Sequence, residues 1–257
     1  MIDAARKDAD GPAPLVLALD TAGSFCSVAV AVGNDIIAEQ RSAMRYGHSE
    51  ALMPMIDSTM RQAAQSAAAL DLVAVTCGPG GFTGIRTGLA AAQGIALGTR
   101  ARLIGVSGFE AVAARWARNR AASGRSASAW LVALDSRRPD FYVQLYDDAG
   151  LPLAAADAVP PDLLAAWVTA KMGQRPLGSA STASTLGVLG DAAEGAAAAL
   201  SEHCCDIVPG SAPDAAGVVL AALRRWPAEA GDGPIRPFYL RNPDVTLPRR
   251  QGPDAAA

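Results

Sequence analysis

Histidine is scarce in this chain, and its scarcity limits the chemistry that the chain can perform. The 257 residues include two histidines, His48 and His203. A metal site on a helix needs paired ligands, such as histidines four residues apart, and Leu52 stands four residues after His48. The sequence has no Gly-Lys-Ser/Thr, which excludes a P-loop, and Gly105 to Phe109 lacks the final glycine of a nucleophile elbow. We therefore predict no metal site and no hydrolase triad.

Cysteines and long apolar runs are also few. The four cysteines, at positions 26, 77, 204 and 205, show no metal-type spacing, and we interpret them as reduced thiols. Residues 1–13 carry charges and no apolar core, unlike a signal peptide, and no apolar run is long enough to cross a bilayer. The net charge of −3 gives no basic field that could hold nucleic acid alone. These features predict a cytoplasmic protein without membrane contact.

Acidic residues are absent from Leu72 to Phe109, and from Thr87 to Thr99 there is no charge of either sign. In this region an apolar run leads into a glycine-rich turn, Cys77 to Gly81, which opens directly into a helical segment. Glycine allows close backbone approach and a helix start presents unpaired N–H groups, so the turn is either an anion cradle or a tight packing joint. A helix that is apolar on all sides must be covered twice, by its own sheet and by a candidate partner protein.

The two halves of the sequence show the same order of predicted strands and helical segments. Leu15 to Asp20 and Trp130 to Asp135 are both apolar strands that end in aspartate, and each leads into further strands and helical segments. The repeated pattern predicts a duplicated α/β unit, the two-lobed fold of actin, Hsp70 and sugar kinases. We place a disordered extension at 1–13, an N-terminal lobe at 14–108, a C-terminal lobe at 109–241 and a flexible tail at 242–257.

Asp20 and Thr21 are weak candidates for binding a phosphate-bearing cofactor at a strand end. The carboxylate could hold Mg²⁺ or orient a water, but aspartate at such a point is also a common turn former. The turn after Asp20 has one glycine, so the structural role is favoured. A dinucleotide fingerprint is not expected, because Thr83 occupies its third glycine position.

Two helical segments remain as a candidate interaction surface. The first carries large apolar residues, and the second has small residues at every fourth position, which allow another helix to approach closely. For the first set, packing in the protein's own core is the commoner case, and for the second set packing against the protein's own sheet is an equally good explanation. The residues are Leu52, Met53, Met55, Ile56 and Met60 in the first segment, and Gly84, Gly88, Ala92 and Ala96 in the second.

Several motifs together resemble the TsaB (YeaZ) family. They run in family order across about residues 14–242, and the glycine block is the most specific of them. The motifs are Leu17 to Ala22, Tyr46 to Glu50, Cys77 to Ala90, Gly105 to Ser107, Ala133 to Arg138 and Phe238 to Arg241.

The resemblance implies a non-catalytic subunit with no cofactor, a sister of the threonylcarbamoyltransferase TsaD. It implies that the chain dimerises with TsaD for N6-threonylcarbamoylation of the adenosine beside the tRNA anticodon. It also implies that the ATPase TsaE joins the larger complex, that tRNA is met only through the complex, and that the chain forms a homodimer when alone.

The resemblance also assigns residues, through two helices at about 49–66 and 83–98. Those expected at the partner interface are Leu52, Met53, Ile56, Met60, Thr83, Gly84, Arg86, Thr87, Gly88, Ala91 and Ala92. Those expected to shape the turn are Gly78, Pro79, Gly80 and Phe82. Because a cation in the first turn of a helix opposes the dipole, Arg86 is expected to have a carboxylate or backbone partner.

Two rivals from other classes stay open. A small-molecule kinase or ATPase of the same fold would use Asp20 and Asp135, and its nucleotide turnover would be lost on Asp20→Asn. A peptidase would need the triad that the sequence lacks.

Overall fold

The computed structural model describes residues 12–44, 46–172, 186–201, 205–228, 230 and 235–241. The predicted N-terminal extension up to residue 11, the predicted tail from residue 242, and His203 and Cys204 lie outside the described residues.

The first sheet is built from the first five strands, with two helices on one face. Its strand order is β3-β2-β1-β4-β5, with β1 antiparallel to β2 and parallel to β4. The elements are β1 (Leu15–Asp20), β2 (Phe25–Val32), β3 (Asp35–Ala43), α1 (His48–Gln62), β4 (Leu72–Gly78), α2 (Phe82–Thr99) and β5 (Arg102–Ser107).

The second sheet repeats this arrangement. Its order is β8-β7-β6-β9-β10, again with an antiparallel second strand and a parallel fourth. The elements are α3 (Gly108–Ser123), β6 (Ala129–Asp135), β7 (Phe141–Tyr146), β8 (Asp157–Val159), α4 (Leu164–Met172), β9 (Leu186–Leu189), α5 (Ala193–Ala199), β10 (Cys205–Ile207) and α6 (Ala215–Leu223). The identical order and directions confirm the predicted duplicated, two-lobed α/β fold of the actin type.

The two sheets and their helices form alternating layers. Helices α1 and α2 cover the outer face of the first sheet, and α4 and α5 cover the outer face of the second. Helix α3 lies between the sheets, with Ala111 and Ala114 on the first and Phe109 and Trp116 on the second. Strand β1 is buried along its whole length because both of its faces are covered, which explains its uninterrupted apolar sequence.

Helix α6 comes late in the chain but packs on the first sheet. Val218 and Ala222 lie in the same buried cluster as Val16 and Ala18 of β1. The sheets therefore share the helices between them, and the division of the chain at residue 108 stays a prediction.

Three local features differ from the sequence-based expectations. Helix α3 was not predicted, although Ser107 and Glu110 form the reciprocal capping box that marks its start. The sequence suggests a turn from Asp147 to Gly150 that leads into the third strand of the second half, but that strand is β8, which begins seven residues after Gly150. Ser49 has the residue type typical of an N-cap and is a candidate for that position from the sequence, but the candidate is wrong, because α1 begins at His48 after Gly47, whose φ is 88°.

Candidate functional site

The glycine turn between β4 and α2 is held between two other segments of the chain. A Cβ on Gly78, whose φ is +125°, would lie 2.3 Å from the Phe238 carbonyl oxygen. A Cβ on Gly80 would lie 2.2 Å from the Ala22 carbonyl oxygen. Main-chain hydrogen bonds fix both contacts, from Phe238 N–H to the Cys77 carbonyl (2.7 Å) and from Gly81 N–H to the Ala22 carbonyl (2.8 Å). Glycine is required here because the backbones touch.

The first turns of α2 rest on the turn that follows β1. A Cβ on Gly84 would lie 2.1 Å from the Thr21 carbonyl oxygen, and one on Gly88 would lie 2.5 Å from Thr21 Oγ1. The Thr21 hydroxyl donates a hydrogen bond to the Gly84 carbonyl at 2.7 Å, and Thr21 is buried. Thr21, a weak cofactor candidate in the sequence, therefore joins α2 to β1.

The structure places about half of the expected interface residues in the chain's own core. These residues lie on the sides of α1 and α2 that face the first sheet, where they are buried. The buried residues are Leu52, Ile56, Met60, Gly84, Gly88 and Ala92, and the accessible or half-buried ones are Met53, Thr83, Arg86, Thr87 and Ala91. The small residues Gly84, Gly88 and Ala92 therefore lie on the inner face of α2, and the assignment of the eleven residues to a partner interface stays a prediction.

The opposite side of α2 is accessible, and from Thr87 to Thr99 it carries no charge. Its residues recur at helical spacing along one stripe, and we call it the outer face of α2. Leu97 is 86% exposed, and a Cβ on Gly94 or Gly98 would meet nothing within 4 Å. The stripe consists of Thr83, Thr87, Ala90, Gly94, Leu97 and Gly98. Large apolar side chains are uncommon in this degree of exposure, and a flat helix face of small residues permits close approach of a second helix.

Among the described residues the partners of Arg86 are aromatic groups, and the expected carboxylate or backbone oxygen, which could also come from another subunit, is not among them. Its guanidinium carbon lies 3.7 Å from the centre of the Phe82 ring, and its Nε donates to the Tyr239 hydroxyl at 3.3 Å. The Phe82 and Tyr239 rings stack with centres 5.7 Å apart. The segment 235–241 is thereby attached to the start of α2 through stacking and cation–π contacts.

Asp20 ends β1 in a buried position. Burial raises the pKa of its carboxyl to about 6, against the opposing effects of the Thr76 hydroxyl and the Ala22 amide. Asp214 and Asp191 add to the rise by charge repulsion. Its Oδ1 accepts a hydrogen bond from Ala22 N–H at 3.2 Å, the turn-forming contact favoured from the sequence.

One cavity between the two lobes is small. It lies between Gly23, Pro79, Asp135 and Pro213, and its volume of about 20 Å³ is close to the space that one water molecule needs. Within the described ranges no group of three or more His, Cys, Asp or Glu side chains could hold a metal ion. Among the helices of the described residues, none combines the length and the apolar character needed to cross a membrane.

A family model and a named relative that match this chain both refer to threonylcarbamoyl modification of tRNA. A family model described as TsaD, tRNA N6-adenosine threonylcarbamoyltransferase, matches residues 35–176. The TsaB protein of Escherichia coli K12 is 33% identical over 139 residues, which cover 53% of this chain and 57% of that protein. An uncharacterized protein of Mycobacterium tuberculosis H37Rv is 31% identical over 239 residues, covering 90% of this chain and 93% of the relative.

Solved structures agree on the fold. YeaZ from Pseudomonas aeruginosa superposes with a TM-score of 0.67 at 23% identity, covering 84% of this chain and 94% of that one. A second Pseudomonas aeruginosa structure, described as similar to peptidase YEAZ, gives a TM-score of 0.73 at 23% identity, covering 89% of this chain and 100% of that one. Family match, relatives and fold together show that this chain belongs to the TsaB (YeaZ) family.

Proposed function

We propose that this chain is a non-catalytic scaffold subunit that dimerises with a TsaD-type threonylcarbamoyltransferase in the N6-threonylcarbamoylation of tRNA. The E. coli and Haemophilus influenzae relatives are both named as threonylcarbamoyladenosine biosynthesis proteins, and the matching family model describes the transferase. The transfer chemistry belongs to TsaD in this proposal, and TsaE and tRNA meet the chain through the larger complex.

The outer face of α2 is the observation that supports this proposal. Because the stripe has no charge, removing it from water costs little desolvation free energy. Burial of Leu97, which is 86% exposed, contributes favourable hydrophobic free energy to binding. We propose that TsaD covers this face together with Met53 of α1, which is 51% exposed. Burial of the helix pair orders the catalytic lobe of TsaD. In the absence of TsaD, a second copy of this chain covers the same face and forms a homodimer.

Size-exclusion chromatography with light scattering tests the proposal, on this chain alone and mixed with purified TsaD from the same organism. The expected result is a dimer that exchanges into a one-to-one heterodimer. Both proteins are loaded at concentrations above about 10 µM, so that a complex with a dissociation constant of about 1 µM would form. If the two proteins elute unchanged under these conditions, TsaD is not the partner of this chain.

A charge on the outer face of α2 is expected to weaken the complex. In Leu97→Glu the partner must bury a carboxylate where a leucine packed, so we expect the dissociation constant to rise by about 100-fold or more. Leu163→Glu is the matched control, because Leu163 is 55% exposed on the other lobe. Titration calorimetry measures both, and equal affinities for the two variants would place the interface away from α2.

A further inference from the structure

A pocket of about 240 Å³ lies between the starts of α1 and α2, beside the turn that follows β1. We call it the α1–α2 pocket. Its lining includes Gly23 from the β1 turn, His48 from α1, Phe82 and Thr83 from α2, and Arg137 from the second lobe. Among the described residues that line it there is no aspartate or glutamate.

The N-terminus of α2 faces this pocket without an acceptor for its amides. Gly81 provides no side-chain cap, and the first turn contains no acidic residue. Gly81 N–H and Ile85 N–H have backbone acceptors, but in the described part of the chain the N–H groups of Phe82, Thr83 and Gly84 make no hydrogen bond. Helix α1 differs, because Glu50 supplies a carboxylate in its first turn. The partial positive charge at the start of α2 is therefore uncompensated.

Arg137 adds a full positive charge at the same place. A Cβ on Gly81, the N-cap of α2, would lie 3.6 Å from the guanidinium carbon of Arg137. The guanidinium donates to the Gly23 carbonyl at 3.2 Å, and its other N–H groups make no hydrogen bond to described residues. A cation beside a helix N-terminus is unfavourable unless an anion lies between them.

His48 supplies an independent sign of a missing ligand. The residue is 9% exposed, and its Nε2 atom is buried without a hydrogen-bond partner in the described part of the chain. Burial lowers the pKa of His48 and the Arg137 charge lowers it further, while the Phe25 carbonyl acts in the opposite direction. Buried polar atoms are rarely left unpaired, so an orphaned nitrogen in the wall of a pocket indicates a group that would fill it.

We infer that the α1–α2 pocket binds a phosphate group, free or carried on a small ester. Backbone amides of α2 and the Arg137 guanidinium can donate to the phosphate oxygens, and the neutral His48 Nε2 can accept from the remaining P–O–H of a hydrogen phosphate. The pocket volume exceeds that of a bare oxyanion and leaves room for part of an ester. Thr83 belongs both to this pocket and to the outer face of α2, whereas His48 and Arg137 lie outside that face. Phosphate binding is measured on this chain without TsaD, so the failure of this inference and the failure of the scaffold proposal are distinguishable.

Titration with inorganic phosphate at constant ionic strength tests the inference on the full chain. We expect saturable shifts in the ¹H–¹⁵N spectrum at the amides of Phe82, Thr83 and Gly84 and at the His48 ring. AMP is the second arm. Tighter binding of AMP than of phosphate identifies an ester as the ligand, and binding of phosphate alone identifies the free ion. Shifts no larger than those caused by chloride at the same ionic strength overturn the inference.

Two variants separate the site from general charge effects. Arg137→Gln is expected to weaken phosphate binding at least tenfold, because it removes a charge-assisted hydrogen bond, whereas the neighbouring Arg138→Gln leaves it unchanged. Gly81→Asp places a carboxylate between Arg137 and the helix start, where the added Cβ makes only ordinary contacts. It is expected to abolish phosphate binding with a Tm at or above the wild type. Unchanged binding in Arg137→Gln or in Gly81→Asp contradicts the site.

Discussion

Replacing Gly84 with alanine is expected to lower the free energy of unfolding by about 3 kcal/mol, the upper range for overpacking a close contact. The added Cβ would lie 2.1 Å from the Thr21 carbonyl oxygen, which is a main-chain atom and cannot rotate away. Helix α2 must therefore shift from the β1 turn. The shift also lengthens the buried hydrogen bond from the Thr21 hydroxyl to the Gly84 carbonyl, which is 2.7 Å in the native fold.

Gly94→Ala provides the matched control on the same helix. A Cβ at Gly94 meets nothing within 4 Å, so alanine there adds helix propensity without a clash and should raise stability by up to about 1 kcal/mol. Urea unfolding followed by circular dichroism measures both, at several protein concentrations, because dimerisation adds to apparent stability. Equal stabilities for Gly84→Ala and Gly94→Ala would show that α2 does not rest on the β1 turn.

The fold could be predicted from the sequence because several of its strands are visible as short apolar runs. Strands β1 and β6 are apolar runs that end in Asp20 and Asp135, and their neighbours follow at similar spacing. Strands β9 and β10, with four and three residues, are too short to show a period. Helix α3 is buried between the sheets, so the polar stripe that identifies a surface helix is weak, and its capping box was the available signal.

The candidate site could be predicted only in part. A stripe of small residues has the same sequence spacing whether it faces the protein's own core or a partner protein. Gly84 and Gly88 suggested a partner surface, but tertiary packing turns them toward Thr21. Gly94 and Leu97, which belong to the outer face of α2, lie on the opposite side of the helix from Gly84 and Gly88. The α1–α2 pocket joins His48 to Arg137, which are far apart in the sequence, so no local pattern could bring them together.

Asp20 gives the chain an unusual dependence of stability on pH. Its pKa is about 6 in the folded protein, against 3.8 for an ordinary aspartate, because burial disfavours the charged form of the carboxyl. The folded state therefore holds the proton more tightly than the unfolded state. The contribution of this group to stability is fully present below pH 3.8 and is lost as the pH rises through about 6. At neutral pH the loss amounts to roughly 3 kcal/mol.

Asp20→Asn is expected to remove this loss. The Asn side chain keeps an oxygen for the Ala22 N–H and places an amide beside the Thr76 hydroxyl, so it resembles the protonated acid at every pH. The variant should match the wild type near pH 4 and be more stable by up to about 3 kcal/mol at pH 7, as measured by urea unfolding across that range. Thr76→Val is the companion change, because it removes the hydroxyl that favours the ionised form and should steepen the decline of stability with pH. Parallel pH profiles for Asp20→Asn and the wild type would show that the Asp20 carboxyl is solvated, and that the ends of β1 and β4 are open to water rather than closed by the glycine turn.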